Sequence, residues 1–366
     1  MEPNSYETWN AYVAQERAAL EPVLAKLGYT LEERQPHISG ERFLMQALTT
    51  TSGRKLILLG KETASGARAV IKATRDRAGA AELAHERACR NAIHTLPFAY
   101  HGFASPKELY FGQSQGFCIS IQAFIEQDSS FIERPIAEQF TYALQAFKGQ
   151  EGAHAATYEQ LRAARRTFDH MNAAHYVANA RDFCAHIAAS GNTKVASLCG
   201  EAAGELEQNG SVISQYGNFL THTDFVPHNF RIADGTLYLL DYSSIRFGNK
   251  HEGWARFLNF MSLYNPDLEA AFVKYFSDNR APEECESLRL MRLYRLTEII
   301  WYYVRASSHS TGALKELNDA RIEFWSEVLR AQIERRALSS EVRRSYMTVR
   351  DQLRSDEERE RQKGLH

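Results

Sequence analysis

The chain has 366 residues, 44% of them hydrophobic and 24% charged, a composition of globular proteins that excludes collagen-like, mucin-like and extended disordered classes. Its 43 basic and 45 acidic residues nearly cancel at net −2, so no overall field draws the molecule to nucleic acid or an anionic membrane. This length suits two lobes with a ligand cleft between them.

The opening MEPNSYETWNAYVAQERAAL is too polar for a secretory segment, and no apolar run is long enough to span a bilayer, so a cytoplasmic location is expected. Five cysteines, Cys89, Cys118, Cys184, Cys199 and Cys285, are scattered and never spaced as CxxC, which argues against a disulfide framework or a zinc site.

Residues 5–27 place Trp9, Tyr12, Val13, Leu20, Val23, Leu24 and Leu27 at helical spacing, closed by Gly28, and predict a helical cap. From about residue 41 the period changes. RFLMQAL, RKLILLGKE and RAVIKAT read as three short strands of an antiparallel meander. Residues 77–95, rich in Ala, Glu and Arg without proline, predict a helix. KELYFGQ and GFCISIQAFIE then read as strands joined at Ser114–Gly116 by a hairpin turn. After about Glu126 the pattern is helical for some ninety residues. It breaks near 218–242, where short apolar runs flank polar residues and an Asp-Gly turn at 234–235, then resumes as helices.

The segment His222-Thr-Asp224-Phe-Val-Pro-His-Asn229 has the HxDxxxxN spacing of a kinase catalytic loop. One carboxylate must face an attacking hydroxyl, and an amide oxygen five residues on must reach back to a metal, which a loop can arrange and a straight helix cannot. The chain's own composition yields this spacing by chance about 0.016 times. Asp241 follows the apolar run Leu237–Leu240 and offers a second hard oxygen, so Asn229 and Asp241 form a modest ligand set suited to Mg²⁺.

Upstream, Lys72 closes the strand RAVIK, where a lysine can neutralise nucleotide phosphates. Its partner should lie on the next helix, with Glu86 preferred and Glu82 one turn earlier as the alternative. The turn Thr49–Gly53, with Ser52 and Gly53, could donate backbone N–H and hydroxyl groups to phosphates. The backbone near Phe124 and Glu126 could hydrogen-bond a purine. No Walker A sequence and no strand-following GxGxxG occurs, which disfavours P-loop and Rossmann plans. A different reading makes His222, Asp224 and His228 ligands of a hydrolytic metal.

These residues resemble the aminoglycoside phosphotransferase and choline-kinase-like small-molecule kinases over roughly 41–260. The resemblance implies an α+β, bilobal protein-kinase-like fold with a small antiparallel sheet and one helix in the first lobe and a large helical second lobe. It implies Asp224 as catalytic base, Asn229 and Asp241 as Mg²⁺ ligands, Lys72 with Glu86 at the phosphates, and His222 as architectural. Expected domains are a cap at 1–38, a nucleotide-binding lobe at 39–123, and a helical lobe at 124–366 with the loop 222–229 and Asp241. The expected activity moves the γ-phosphate of ATP (or GTP) to a hydroxyl of a small-molecule acceptor, with no nucleic-acid or membrane partner. The alternative is a catalytically silent pseudokinase that binds a nucleotide or a partner. Tyr242-Ser-Ser follows the metal aspartate in place of Phe-Gly, with no APE-like segment, which weighs against a protein kinase with a regulated activation loop. Glu252 is a candidate replacement for a second aspartate, and no acidic cluster for a cationic acceptor appears toward the C-terminus.

Overall fold

The structure, a computed structural model, describes residues 5–35, 54–96 and 104–354. The expected first strand, RFLMQAL, and the turn Thr49–Gly53 with Ser52 and Gly53 lie outside these residues.

A helix, α1 (Ser5–Lys26), leads into strand β1 (Tyr29–Leu31), followed by β2 (Leu56–Glu62), β3 (Arg68–Thr74), helix α2 (Arg77–Thr95), β4 (Glu108–Ser114) and β5 (Phe117–Ala123). The five strands form one antiparallel sheet in the order β1-β2-β3-β5-β4. Gln115 and Gly116 both take positive φ, 48° and 82°, so the β4–β5 hairpin turns tightly, as the sequence there predicts.

Where the sequence suggested a cap ahead of the sheet, the N-terminal segment belongs to the sheet's own core. Leu20, Val23 and Leu24 of α1 pack with Leu56, Leu58, Ile71, Ile119 and Ile121, and Tyr29–Leu31 pairs with Gly60–Glu62. Burying each such aliphatic side chain contributes about 1.5–3 kcal/mol.

In β3 the alternation of a half-buried strand buries Ala69, Ile71 and Ala73 against that core and turns Val70 and Lys72 to the other face. Helix α2 is capped by Asp76, whose carboxylate accepts from the Gly79 N–H at 2.9 Å. A Cβ at Gly79 would lie 2.6 Å from the Arg54 carbonyl oxygen, so glycine lets this helix close on the strands.

The second lobe begins with α3 (Ile136–Glu151), α4 (Tyr158–Ala164), α5 (Ala173–Ala189), α6 (Thr193–Gln208) and α7 (Gly210–Gln215). Two small ladders follow, β6 (Phe219–His222) with β9 (Ile245–Gly248), and β7 (Phe230–Ala233) with β8 (Thr236–Leu239). Asp234 and Gly235 both take positive φ at the predicted Asp-Gly turn. Helices α8 (Glu252–Tyr264), α9 (Pro266–Asn279), α10 (Pro282–Ser308), α11 (Gly312–Ile333) and α12 (Ser340–Leu353) complete the lobe. Its core is aromatic: Phe147 stacks on Trp254 with ring centres 3.8 Å apart, and Phe225, Phe257 and Phe272 surround them. Pairs of this kind add about 0.5–1.5 kcal/mol beyond area burial.

Candidate active site

Lys72 reaches Glu86 on α2 through both carboxylate oxygens, at 2.6 and 2.7 Å. Glu86 lies two turns beyond Gly79 on the same helix, so the close approach at the glycine brings the carboxylate to the strand. Glu82, the other candidate, pairs with Lys55 at 2.7 Å.

The loop after β6 is rooted by its apolar members. Phe225 and Val226 are fully buried, and a short 3₁₀ turn, Pro227–Asn229, brings the chain back. Asp224 is held from two sides. Its Oδ1 accepts from Arg256 Nε and Nη2 at 3.0 and 2.9 Å, and its Oδ2 accepts from Asn229 Nδ2 at 3.1 Å. That same amide nitrogen donates to the Asp224 carbonyl at 2.8 Å, so the amide oxygen of Asn229 points away from the carboxylate. His228 Nε2 stands 3.8 Å from Oδ2. Asp224 lies on the floor of packed atoms yet keeps 34% of its side-chain surface open. Burial works to raise its pKa, but the Arg256 guanidinium beside it and His228 outweigh that and hold the carboxyl well below its usual range.

His222 fastens this loop to Asp241. The ring Nε2 donates to the carbonyl oxygens of Leu240 and Asp241 at 3.0 and 3.1 Å, while its backbone N–H donates to Gln150 Oε1 at 2.9 Å. The imidazole is buried, which lowers its pKa despite the nearby Asp241 and Asp224, and its Nδ1 has no hydrogen-bond partner. The Leu240 N–H also donates to the Asn229 carbonyl at 2.9 Å, so Asn229 and Asp241 are neighbours across the β7–β8 ladder.

Asp241 takes a left-handed backbone, φ 54° and ψ 59°, a conformation that is costly for most residues and mildest for Asp and Asn. Ser243 Oγ donates to its Oδ1 at 2.6 Å and Ser244 Oγ to its Oδ2 at 2.8 Å. Burial raises the Asp241 pKa, yet the Ser243 hydroxyl, His222, Lys72 and Ser244 together bring it below the ordinary value. Lys72 of the sheet lobe therefore lies near enough for its charge to bear on Asp241 of the helical lobe.

Phe124 and Glu126 sit where the sheet hands over to the helices. The Phe124 N–H is committed to the Arg68 carbonyl at 3.1 Å, the Arg68 guanidinium lies over the Phe124 ring at 4.0 Å, and Glu126 pairs with Arg68 at 3.0 Å. A base would have to use the Phe124 carbonyl or the backbone beyond it rather than this N–H.

A hydrolytic metal on His222, Asp224 and His228 does not fit. The Nε2 of His222 faces two carbonyls, Asp224 is engaged by Arg256, and no group of three or more His, Cys, Asp or Glu among the described residues is arranged to hold a metal ion. Asn229 and Asp241 instead offer two hard oxygen donors, few enough to suit an ion that keeps water and phosphate oxygens in its shell. Glu252 is not part of that set. It is fully buried, receives the Tyr176 hydroxyl at 2.7 Å, and is paired with Arg246 and Arg295. Burial raises its pKa, but Arg246 and Arg295 bring it below its ordinary value.

Sequence reasoning missed Arg256 and the two serine hydroxyls on Asp241. Arg256 had a signal: it is the lone cation inside EGWARFLNFMSLY, an apolar helix where an unpaired charge would be costly.

No family model matches the sequence, and no curated protein matches it. Solved structures do. A type I macrolide 2′-phosphotransferase aligns over 84% of this chain and 97% of its own, at 11% identity and a TM-score of 0.55. The apoenzyme of the macrolide 2′-phosphotransferase MphH from Brachybacterium faecium aligns over 83% and 97%, at 16% identity and 0.53. A thermostable mutant of the aminoglycoside phosphotransferase APH(4)-Ia, in a ternary complex with AMP-PNP and hygromycin B, aligns over 81% and 98%, at 14% identity and 0.53. The chain thus has the bilobal, protein-kinase-like fold. In particular, its architecture is similar to that of the aminoglycoside and macrolide phosphotransferases.

Proposed function

We propose that this chain is an ATP-dependent, Mg²⁺-requiring phosphotransferase that moves the γ-phosphate to a hydroxyl of a small molecule. The reading rests on one observation: Lys72, held by Glu86 in the sheet lobe, lies near enough to Asp241 for its charge to bear on it, and Asp241 is tied through the Leu240 N–H to Asn229, which holds Asp224. The solved neighbours bound to AMP-PNP and ADP support ATP as donor, and nothing favours GTP over it.

Lys72, fixed by Glu86, would neutralise phosphate charge. The amide oxygen of Asn229 and the carboxylate of Asp241 would hold Mg²⁺, which supplies charge neutralisation on the phosphate oxygens. Asp224 would orient the acceptor hydroxyl and receive its proton as the new O–P bond forms. The bond from the γ-phosphorus to its bridging oxygen breaks, and ADP leaves with the electron pair. A carboxyl held so acidic is a weak base before transfer begins, so Asp224 works chiefly by aiming the oxygen and accepts the proton late. Arg256 stands beside Asp224 and Glu252 is fully paired, so neither adds anionic surface for a polycationic acceptor.

The test is Asp224→Ala and Asp241→Ala in a thermal-shift and phosphotransfer pair. Asp224→Ala should keep ATP–Mg²⁺ stabilisation and lower turnover by about 10²–10⁴-fold, whereas Asp241→Ala should lose the Mg²⁺-dependent part of the stabilisation. Turnover of Asp224→Ala equal to wild type with an acceptor found by metabolite screening sinks the assignment. If the wild-type chain gains no stability from ATP with Mg²⁺, the silent, partner-binding reading replaces it.

A further inference from the structure

We infer that Arg256 is a positioning residue for phosphotransfer: by taking Oδ1 of Asp224 with two N–H groups, it fixes the carboxylate's rotation and assigns Oδ2 to the acceptor hydroxyl. The inference rests on the reading of Asp224 given above.

An arginine meeting a carboxylate commonly spreads two parallel N–H bonds over both oxygens. Here Nε and Nη2 converge on the same atom, Oδ1, at 3.0 and 2.9 Å. Oδ2 carries one hydrogen bond, from Asn229 Nδ2 at 3.1 Å, while His228 Nε2 at 3.8 Å is too far to make one. A carboxylate oxygen accepts about two hydrogen bonds, so Oδ2 keeps a place for a hydroxyl and Oδ1 does not.

Arg256 is itself held in register with the loop. Ala255, Phe257 and Leu258 beside it on α8 are fully buried. Three residues earlier, the Gly253 N–H donates to Thr221 Oγ1 at 3.0 Å. A Cβ at Gly253 would stand 2.7 Å from Gln150 Oε1 and 3.2 Å from the His222 carbonyl oxygen, and that same Gln150 atom receives the His222 N–H. The start of α8 and the start of the catalytic loop are thus one clamp, and the reach from Arg256 to Asp224 is set by backbone packing on both sides.

Arg256 is thus the one side chain donating to Oδ1, and Asn229 the one donating to Oδ2, among the described residues. Without the guanidinium Oδ1 loses both its donors and the carboxylate is free to rotate.

The experiment uses the full chain with Arg256→Gln and Arg256→Lys. Initial rates of ATP turnover with water as acceptor give kcat and KM for ATP, and thermal shift with ATP and Mg²⁺ reads nucleotide binding separately. Arg256→Gln should lower kcat at least about tenfold while KM for ATP holds within about twofold and the ATP–Mg²⁺ stabilisation is kept. Arg256→Lys keeps the charge but not the planar fork; it should still lose kcat, and it carries the test if Arg256→Gln does not fold. An unchanged kcat in Arg256→Gln, or wild-type kcat in a folded Arg256→Lys, overturns the positioning role. Failure of the wild-type chain to gain stability from ATP with Mg²⁺ overturns the phosphotransferase reading instead.

Discussion

The sheet lobe brings Lys72 to the site and the helical lobe brings Asp224, and the two lobes hold these charged side chains in different ways. Among the described residues Lys72 is fixed by one partner, Glu86, with both side chains largely enclosed at 15% and 8% exposure. Asp224 is fixed by Arg256 and Asn229 on separate elements and stays more open. The difference matches the roles proposed for the two groups. A lysine that neutralises charge needs only to be placed, and one neighbouring helix places it. A carboxylate that must meet a hydroxyl needs one oxygen immobilised and the other left with a vacancy, which takes partners from different directions.

Breaking the upper pair should have the largest effect of the variants that leave the lower site intact. Glu86→Gln keeps the shape but strands the Lys72 ammonium against a neutral amide. Because the pair is mostly but not wholly enclosed, the expected loss of folding stability is about 2 kcal/mol. Misplacement of the ammonium should lower turnover by about 10²-fold and weaken the stabilisation by ATP with Mg²⁺. Denaturant unfolding and a nucleotide thermal-shift series read both. Wild-type values in each would mean that Lys72 is held by something other than Glu86.

The same contrast explains what could be read in the sequence. The Lys72–Glu86 pair spans fourteen residues and one strand-to-helix step, and HxDxxxxN is a local spacing, so a match to kinase spacing, with periodicity placing the strand and helix, sufficed to propose both. The antiparallel sheet, the helix at 77–95, both hairpin turns and the helical second lobe were legible for the same reason. Arg256 meets Asp224 across 32 residues, by way of a helix whose docking depends on Gly253 fitting against Gln150. No periodicity encodes that meeting. Tyr29–Leu31 was missed because three residues are too few for alternation to register, and the strand exists because β2 offers it an edge. The left-handed Asp241, with a serine on each oxygen, was visible only as Asp-Tyr-Ser-Ser, whose meaning depends on the backbone turning there.

Acid should affect the lower lobe first. His222 and His251 are both fully buried there, and burial lowers both pKa values below the ordinary 6.5. The unfolded chain then binds protons that the folded chain refuses, so stability is complete above pH 6.5 and falls as pH drops below it. Glu284 is brought down to about 2 by His251, whose Nε2 stands 3.5 Å from its carboxylate, and by Lys250 at 2.8 Å. A carboxylate shifted in that direction adds stability above its ordinary 4.5 that is lost as pH falls toward 2. The unfolding free energy from urea melts should therefore decline by about 1–2 kcal/mol between pH 7 and 5 and more steeply below 4.5. His251→Gln should flatten the first decline, and an unchanged slope in that variant would remove His251 from the account.

The smallest effect belongs to Glu82, and it sharpens the comparison most closely because Glu82 and Glu86 stand one turn apart on one helix. Glu82 pairs with Lys55 at 2.7 Å, with side-chain exposures of 26% and 22%. A partly solvated pair of this kind contributes at most about 1 kcal/mol, since water screens the attraction and two long side chains lose freedom. Glu82→Gln should cost less than Glu86→Gln in denaturant unfolding, shift less in high salt, and leave ATP–Mg²⁺ stabilisation at the wild-type value. If instead Glu82→Gln weakens nucleotide stabilisation as much as Glu86→Gln does, the two carboxylates share Lys72 in solution, and the upper lobe, like the lower one, holds its charged group through more than one partner.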